Sequence, residues 1–224
     1  MSAIEPFADR MPDRPPVRGY LHRPPGASAR DALVLTHGAG SNANASLLVA
    51  VATAFAEAGF LVLRCDLPFR QLRPHGPPIG TGAQDRAGLQ RAVEVVREAV
   101  PGGRAFLGGH SYGGRQASML LAEDPEIVRG LLLLSYPLHP PNRTGQPRTA
   151  HFPNLRAPVL FVHGSRDPFG SLDEMREVLG LIPAPVELVA IEGAGHDLGR
   201  DRENVARKAL AAFRNLVDPI AQAL

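Results

Sequence analysis

The sequence predicts an α/β protein built on a mostly parallel β-sheet with helices on both faces. Three observations carry that expectation. From residue 31 onward, short and uniformly apolar runs alternate with longer amphipathic stretches, the pattern of strands covered on both sides and joined by crossover helices. Glycine and proline punctuate the boundaries between them. Serine, aspartate and histidine in glycine-containing turns fall directly after apolar runs, where open α/β sheets bind their ligands.

In order along the chain, residues 17–22 are compatible with an N-terminal edge strand. Residues 32–36 (ALVLT) form a buried strand, and 45–58 a helix ended by Gly59. Residues 60–64 (FLVLR) are a second strand, followed by a proline- and glycine-rich loop over 66–82. Residues 84–100 are a long amphipathic helix stopped by Pro101-Gly102-Gly103. Residues 104–107 form a third strand, followed by a turn and a helix over 114–122. The strand at 130–134 leads into a second proline-rich loop, 135–157. The strand at 158–162, the helix at 171–179, the strand at 186–191 and a final helix over about 201–216 complete the pattern. All 224 residues are expected to form one domain. The 135–157 segment is too short for a separate lid domain, so the site should be open.

Composition narrows the function classes. Apolar residues make up 44% and charged residues 21%, as in a globular protein, and the net charge of +2 implies no strongly charged partner. No dense basic run suggests nucleic acid. No apolar run approaches about 18 residues, so no membrane span is expected. The N-terminal segment lacks an apolar signal core, which makes the cytoplasm the expected location. Cys65 is the single cysteine, so no intrachain disulfide can form; at the end of an apolar run it is expected as a buried small residue. The histidines and carboxylates lack H-E-x-x-H or C-x-x-C spacing, so neither metal nor cofactor is expected.

The most informative stretch is Gly109-His110-Ser111-Tyr112-Gly113, a G-x-S-x-G between a strand and a helix. A serine on such a turn has its hydroxyl pushed out of the sheet, and the new helix aims its N-terminal amides at the same spot. A hydroxyl nucleophile needs a base, and the base needs an acid to hold its tautomer. Asp167 follows the fifth strand and His196 the sixth, in the order serine, acid, histidine. Ser111, Asp167 and His196 are therefore the candidate catalytic residues. His37-Gly38-Ala39-Gly40 follows the first strand of the alternating pattern and matches the loop that supplies a backbone N–H to an oxyanion. The backbone amides of Ala39 and Tyr112 are the expected oxyanion donors. His37 and His163 are expected to hydrogen-bond within their loops, and His110 to point down into the sheet.

Arginines recur on the same face. Arg70 and Arg73 lie in the 66–82 loop, Arg115 in the first turn of the helix after Ser111, and Arg143 and Arg148 in the 135–157 loop. A cation at a helix N-terminus opposes the dipole, so Arg115 should have a partner. Asp66 is one candidate and a substrate carboxylate another. Arg70, Arg115, His139, Arg143 and His151 are candidate substrate contacts; an internal salt bridge and solvated arginines are the alternative.

Through His37–Gly40, Gly109–Gly113, Asp167 and Gly195-His196, the chain resembles the α/β-hydrolase superfamily over nearly its whole length. Leu35–Gly40, Cys65–Arg70 and Gly113–Ser118 are similar to stretches of small lidless hydrolases related to testis-expressed and chromatin-complex-associated hydrolase-like proteins. Dienelactone hydrolases are a more distant resemblance; they usually carry cysteine where this chain has Ser111. The resemblance implies an α/β-hydrolase fold and a serine hydrolase acting on a small ester or thioester. The same fold also hosts acyltransferases and non-catalytic interaction modules, which remain alternatives. The sequence does not specify oligomeric state.

Overall fold

The computed structural model describes residues 2–218, apart from residues 27, 28, 142 and 144. Its strands are β1 (Ala3–Asp9), β2 (Val17–Arg23), β3 (Asp31–Thr36), β4 (Phe60–Cys65), β5 (Arg104–His110), β6 (Leu131–Leu134), β7 (Val159–Gly164) and β8 (Val186–Ile191). Its helices are α1 (Ser46–Glu57), α2 (Pro68–Leu72), α3 (Ala83–Ala99), α4 (Tyr112–Glu123), α5 (Leu172–Leu179) and α6 (Arg202–Val217), with a 3-10 turn at Phe152–Asn154. The strands form one eight-stranded sheet in the order β1-β2-β4-β3-β5-β6-β7-β8. β1, β2 and β4 pair antiparallel, and every pairing from β4 through β3 to β8 is parallel.

Side-chain alternation along the strands divides the core in two. Val34, Leu63, Leu107, Leu133 and Phe161 pack with α3, α4 and α5 on one face. Their neighbours Leu33, Val62, Phe106, Leu132 and Leu160 pack with α1 and α6 on the other. Both faces are covered, so the strand residues need be apolar at every position rather than at alternate ones. This is the α/β-hydrolase architecture, with no inserted lid domain among the described residues.

The structure departs from the expected elements in three places. Residues 17–22 do not form the edge: β1 pairs outside β2, from Ala3 opposite Arg23 to Asp9 opposite Val17. β1 is mostly exposed and contains Pro6, which only an edge strand tolerates because proline cannot donate to a ladder. The 66–82 loop contains α2, started by Pro68 in its first turn. The 135–157 loop contains the 3-10 turn, anchored by fully buried Phe152. Cys65 is buried, and burial pushes its thiol up to about 12, so it stays protonated. Among the described residues, no helix is long and apolar enough to cross a membrane.

Candidate active site

The carboxyl ends of β3, β5, β7 and β8 place four loops together. β5 ends at His110, and Ser111 follows with φ 52° and ψ −117° before α4 begins. That backbone is costly for a non-glycine residue, by about 1–3 kcal/mol. Ser111 N–H donates to Leu134 O at 2.8 Å, which fixes the turn to the end of β6. Gly113 supplies the room: a Cβ there would sit 2.5 Å from His37 O, so the first turn of α4 can lie against the β3 loop. Gly164 does the same for the histidine loop, since its Cβ would lie 2.4 Å from both Ala194 O and Gly195 O.

Ser111 Oγ lies 2.7 Å from His196 Nε2, and His196 Nδ1 lies 2.8 Å from Asp167 Oδ2. Asp167 is buried, while the His196 side chain keeps 22% exposure. The other carboxylate oxygen, Oδ1, accepts from Phe169 N–H at 2.9 Å. A carboxylate only accepts, so Nδ1 carries the ring proton and Nε2 presents its lone pair to the Ser111 hydroxyl. Phe169 packs its ring against His196 in a T-shaped contact, with centroids 4.5 Å apart.

His110 does not point into the sheet. It lines the site, and its Nε2 lies 2.9 Å from His196 O, so the ring holds the histidine loop through the main chain. Burial lowers its pKa to about 4, so it is neutral and adds little repulsion to a charged His196. His37 and His163 do bond within their loops, to Gly38 O and Gly170 O respectively, both at 2.8 Å. His37 Nε2 also accepts from Leu67 N–H at 3.1 Å.

A cleft of about 570 Å³ opens over Ser111, and its walls include Ala39, Tyr112, Arg115, Arg148, Pro137, Phe169 and His196. Of the five expected substrate contacts, only Arg115 lines it. Arg70 is 5% exposed and committed to the main chain: Nε donates to Ser41 O at 2.8 Å, and one terminal nitrogen to Ala39 O at 2.7 Å. The same guanidinium also reaches Gly76 O and Arg73 O. Arg70 therefore fastens the loop that carries Ala39. His139 is buried with Nε2 at 3.1 Å from Glu174, His151 is held by Ser118 Oγ at 2.8 Å, and Arg143 is exposed outside the cleft lining. Asp66 is not the partner of Arg115; it accepts from Ala43 N–H and pairs with Arg18. Arg148 is the cationic wall that the expected substrate contacts omitted. Its chemistry was visible as an arginine in the 135–157 loop, but not its place beside the cleft, where the Tyr136 hydroxyl anchors its main chain. That buried hydroxyl donates to Arg148 O at 2.6 Å. Among the described residues, no three His, Cys, Asp or Glu side chains cluster as metal ligands.

Comparison with solved structures finds the same fold in proteins described as hydrolases. A dienelactone hydrolase from Anabaena variabilis superposes with a TM-score of 0.76 at 22% identity, covering 96% of this chain and 98% of that one. A lidless α/β serine hydrolase from Xanthomonas campestris gives 0.71 at 18% identity, with 96% and 94% covered. An α/β serine hydrolase homologue from Coxiella burnetii gives 0.70 at 20% identity, with 91% and 96% covered. At these identities the likeness is one of fold. The family described as "Alpha/beta hydrolase domain" matches residues 29–222, nearly the whole length, including every residue of the site. The chain belongs to the α/β-hydrolase domain family.

Proposed function

We propose that this hydrolase cleaves a small carboxylic ester or thioester through an acyl-enzyme on Ser111. The observation that carries the proposal is the imidazole of His196 bridging Ser111 Oγ and the buried Asp167 carboxylate. Ser111 Oγ attacks the carbonyl carbon as its proton passes to His196 Nε2. Asp167 stabilises the imidazolium through Nδ1–H. The carbonyl oxygen becomes an oxyanion facing the backbone N–H groups of Ala39 and Tyr112. Tyr112 is the first residue of α4, so its N–H has no intrahelical partner. Each such donor contributes about 2.7–4 kcal/mol to the transition state. His196 then protonates the leaving group, and a water that it deprotonates releases the acid. The uncovered cleft suits a small substrate entering from solvent.

The test is rapid mixing with p-nitrophenyl acetate. A burst of one nitrophenolate per chain, absent in Ser111→Ala, is expected. Steady turnover retained in the Ser111→Ala protein would overturn the proposal.

A further inference from the structure

We propose that Arg115 and Arg148 form an anion-binding subsite beside Ser111 that takes a carboxylate carried by the substrate, making half-esters of dicarboxylic acids the favoured substrate class. The proposal rests on the hydrolase reading above, which it refines.

Both arginines line the cleft that holds Ser111 and His196, and no aspartate or glutamate lines it with them. Among the described residues, neither arginine has a carboxylate within ion-pair distance. Asp66 is committed to Arg18 and Ala43 N–H, and Asp85 to the Tyr112 hydroxyl and Phe69 N–H. Arg115 Nε is buried and has no hydrogen-bond acceptor. A buried charged donor without an acceptor is unfavourable, and a ligand oxygen would remove that penalty.

The two cations also act on each other. Burial and the charge of Arg115 both lower the pKa of Arg148. The N-terminus of α4 adds a third positive contribution, since Arg115 sits in its first turn, about 6 Å along the axis beyond Ser111. Like charges brought together without a counter-charge favour a bound anion. His151, behind Arg115, adds no charge, because burial and Arg115 hold its pKa at about 4.

The main chain that carries both arginines is also fixed in place. Arg115 belongs to α4, and its carbonyl accepts from Ser118 Oγ at 2.9 Å. The Arg148 main chain is held at both ends, with its N–H on Leu138 O at 2.8 Å and its carbonyl on the hydroxyl of fully buried Tyr136. Guanidinium groups pair bidentately with planar carboxylates. A short acyl chain ending in a carboxylate would put its ester carbonyl at Ser111 and its charge between the two arginines. Pro137, Pro141 and Phe169 offer apolar walls to the methylenes between.

The test compares monomethyl glutarate with the neutral methyl pentanoate in the pH-stat. It adds calorimetric titration of glutarate into the Ser111→Ala protein. The wild type should favour the half-ester by about tenfold or more in kcat/KM, and Arg115→Gln and Arg148→Gln should each reduce that ratio about tenfold. Glutarate binding should weaken in parallel in both variants on the Ser111→Ala background. Equal kcat/KM for the two esters, or a preference and glutarate affinity untouched by both substitutions, would overturn the subsite. If Arg115→Gln does not fold, Arg148→Gln decides alone. If neither ester turns over, the p-nitrophenyl acetate burst decides the hydrolase reading separately, and the titration decides the subsite.

Discussion

Replacing Asp167 with asparagine probes the hydrogen-bond logic of the site most finely, because the change is nearly isosteric. Asp167 Oδ1 accepts from Phe169 N–H at 2.9 Å, and Oδ2 faces His196 Nδ1 at 2.8 Å. An asparagine oxygen can satisfy only one of these. If it keeps Phe169, its NH2 group faces Nδ1, which must then accept; the proton moves to Nε2 and the lone pair facing Ser111 is lost. If it turns toward His196, two N–H groups oppose each other and Phe169 N–H is left unpaired in a buried site, at about 1–3 kcal/mol. That preference alone leaves about 1–20% of molecules in the active tautomer. Losing the negative charge that stabilises the imidazolium adds a further factor, bringing the expected fall in kcat to about 10³–10⁴-fold, the size seen for this change in a serine-protease triad. The assay is kcat and kcat/KM for p-nitrophenyl acetate, with the Tm of both proteins as a control on folding. A fall below fivefold with an unchanged Tm would refute the reasoning.

Further predictions follow from the same contacts. Arg70→Met removes charge-assisted bonds to Ala39 O and Ser41 O, so it should cost about 3 kcal/mol or more in urea unfolding. Because the Ala39 amide then loses its placement, kcat should fall more than KM rises; Arg70→Lys should not restore it, since one ammonium cannot span the same carbonyls. A KM effect alone would remove Arg70 from this positioning role. Gly113→Ala puts a Cβ 2.5 Å from His37 O, so it should lower both Tm and kcat; a wild-type Tm would contradict that packing. Acid should destabilise the protein before its carboxylates titrate. Burial lowers His22, His110 and His151 to about 4. The unfolded chain therefore takes up protons near pH 6.5 that the folded one refuses. The stability is complete above pH 6.5 and declines as pH falls toward 4, by at most about 1.4 kcal/mol per unit for each histidine. Urea midpoints that do not change between pH 7 and 5 would contradict it.

The parallel half of the fold and the meeting of the candidate residues Ser111, Asp167 and His196 were legible because they obey local rules. The runs at β3, β4, β5, β6 and β7 are apolar at nearly every position, as sheets covered on both faces require. Ser111, Asp167 and His196 each sit just past a strand, so topology alone brings them to one edge. β1 was not legible: its sequence carries no alternation and a proline, and it exists through pairing with β2. The arginines were visible as residue types, but their separate fates were not. Arg70 turns inward onto the carbonyls of the Ala39 loop, Arg143 turns outward, and Arg148 is held at the cleft by Tyr136 from twelve positions away. Those outcomes depend on long-range hydrogen bonds with no period in the sequence. His110 was misplaced for the same reason, because its acceptor, His196 O, belongs to a distant loop.

The most direct test of the central claim is peptide mass mapping after treatment with a fluorophosphonate probe, which reacts preferentially with an activated serine. One adduct per chain on the peptide containing Ser111, lost in Ser111→Ala and slowed at least a hundredfold in His196→Ala, is the predicted result. An unlabelled wild-type protein, or an adduct on another residue that persists in Ser111→Ala, would contradict it.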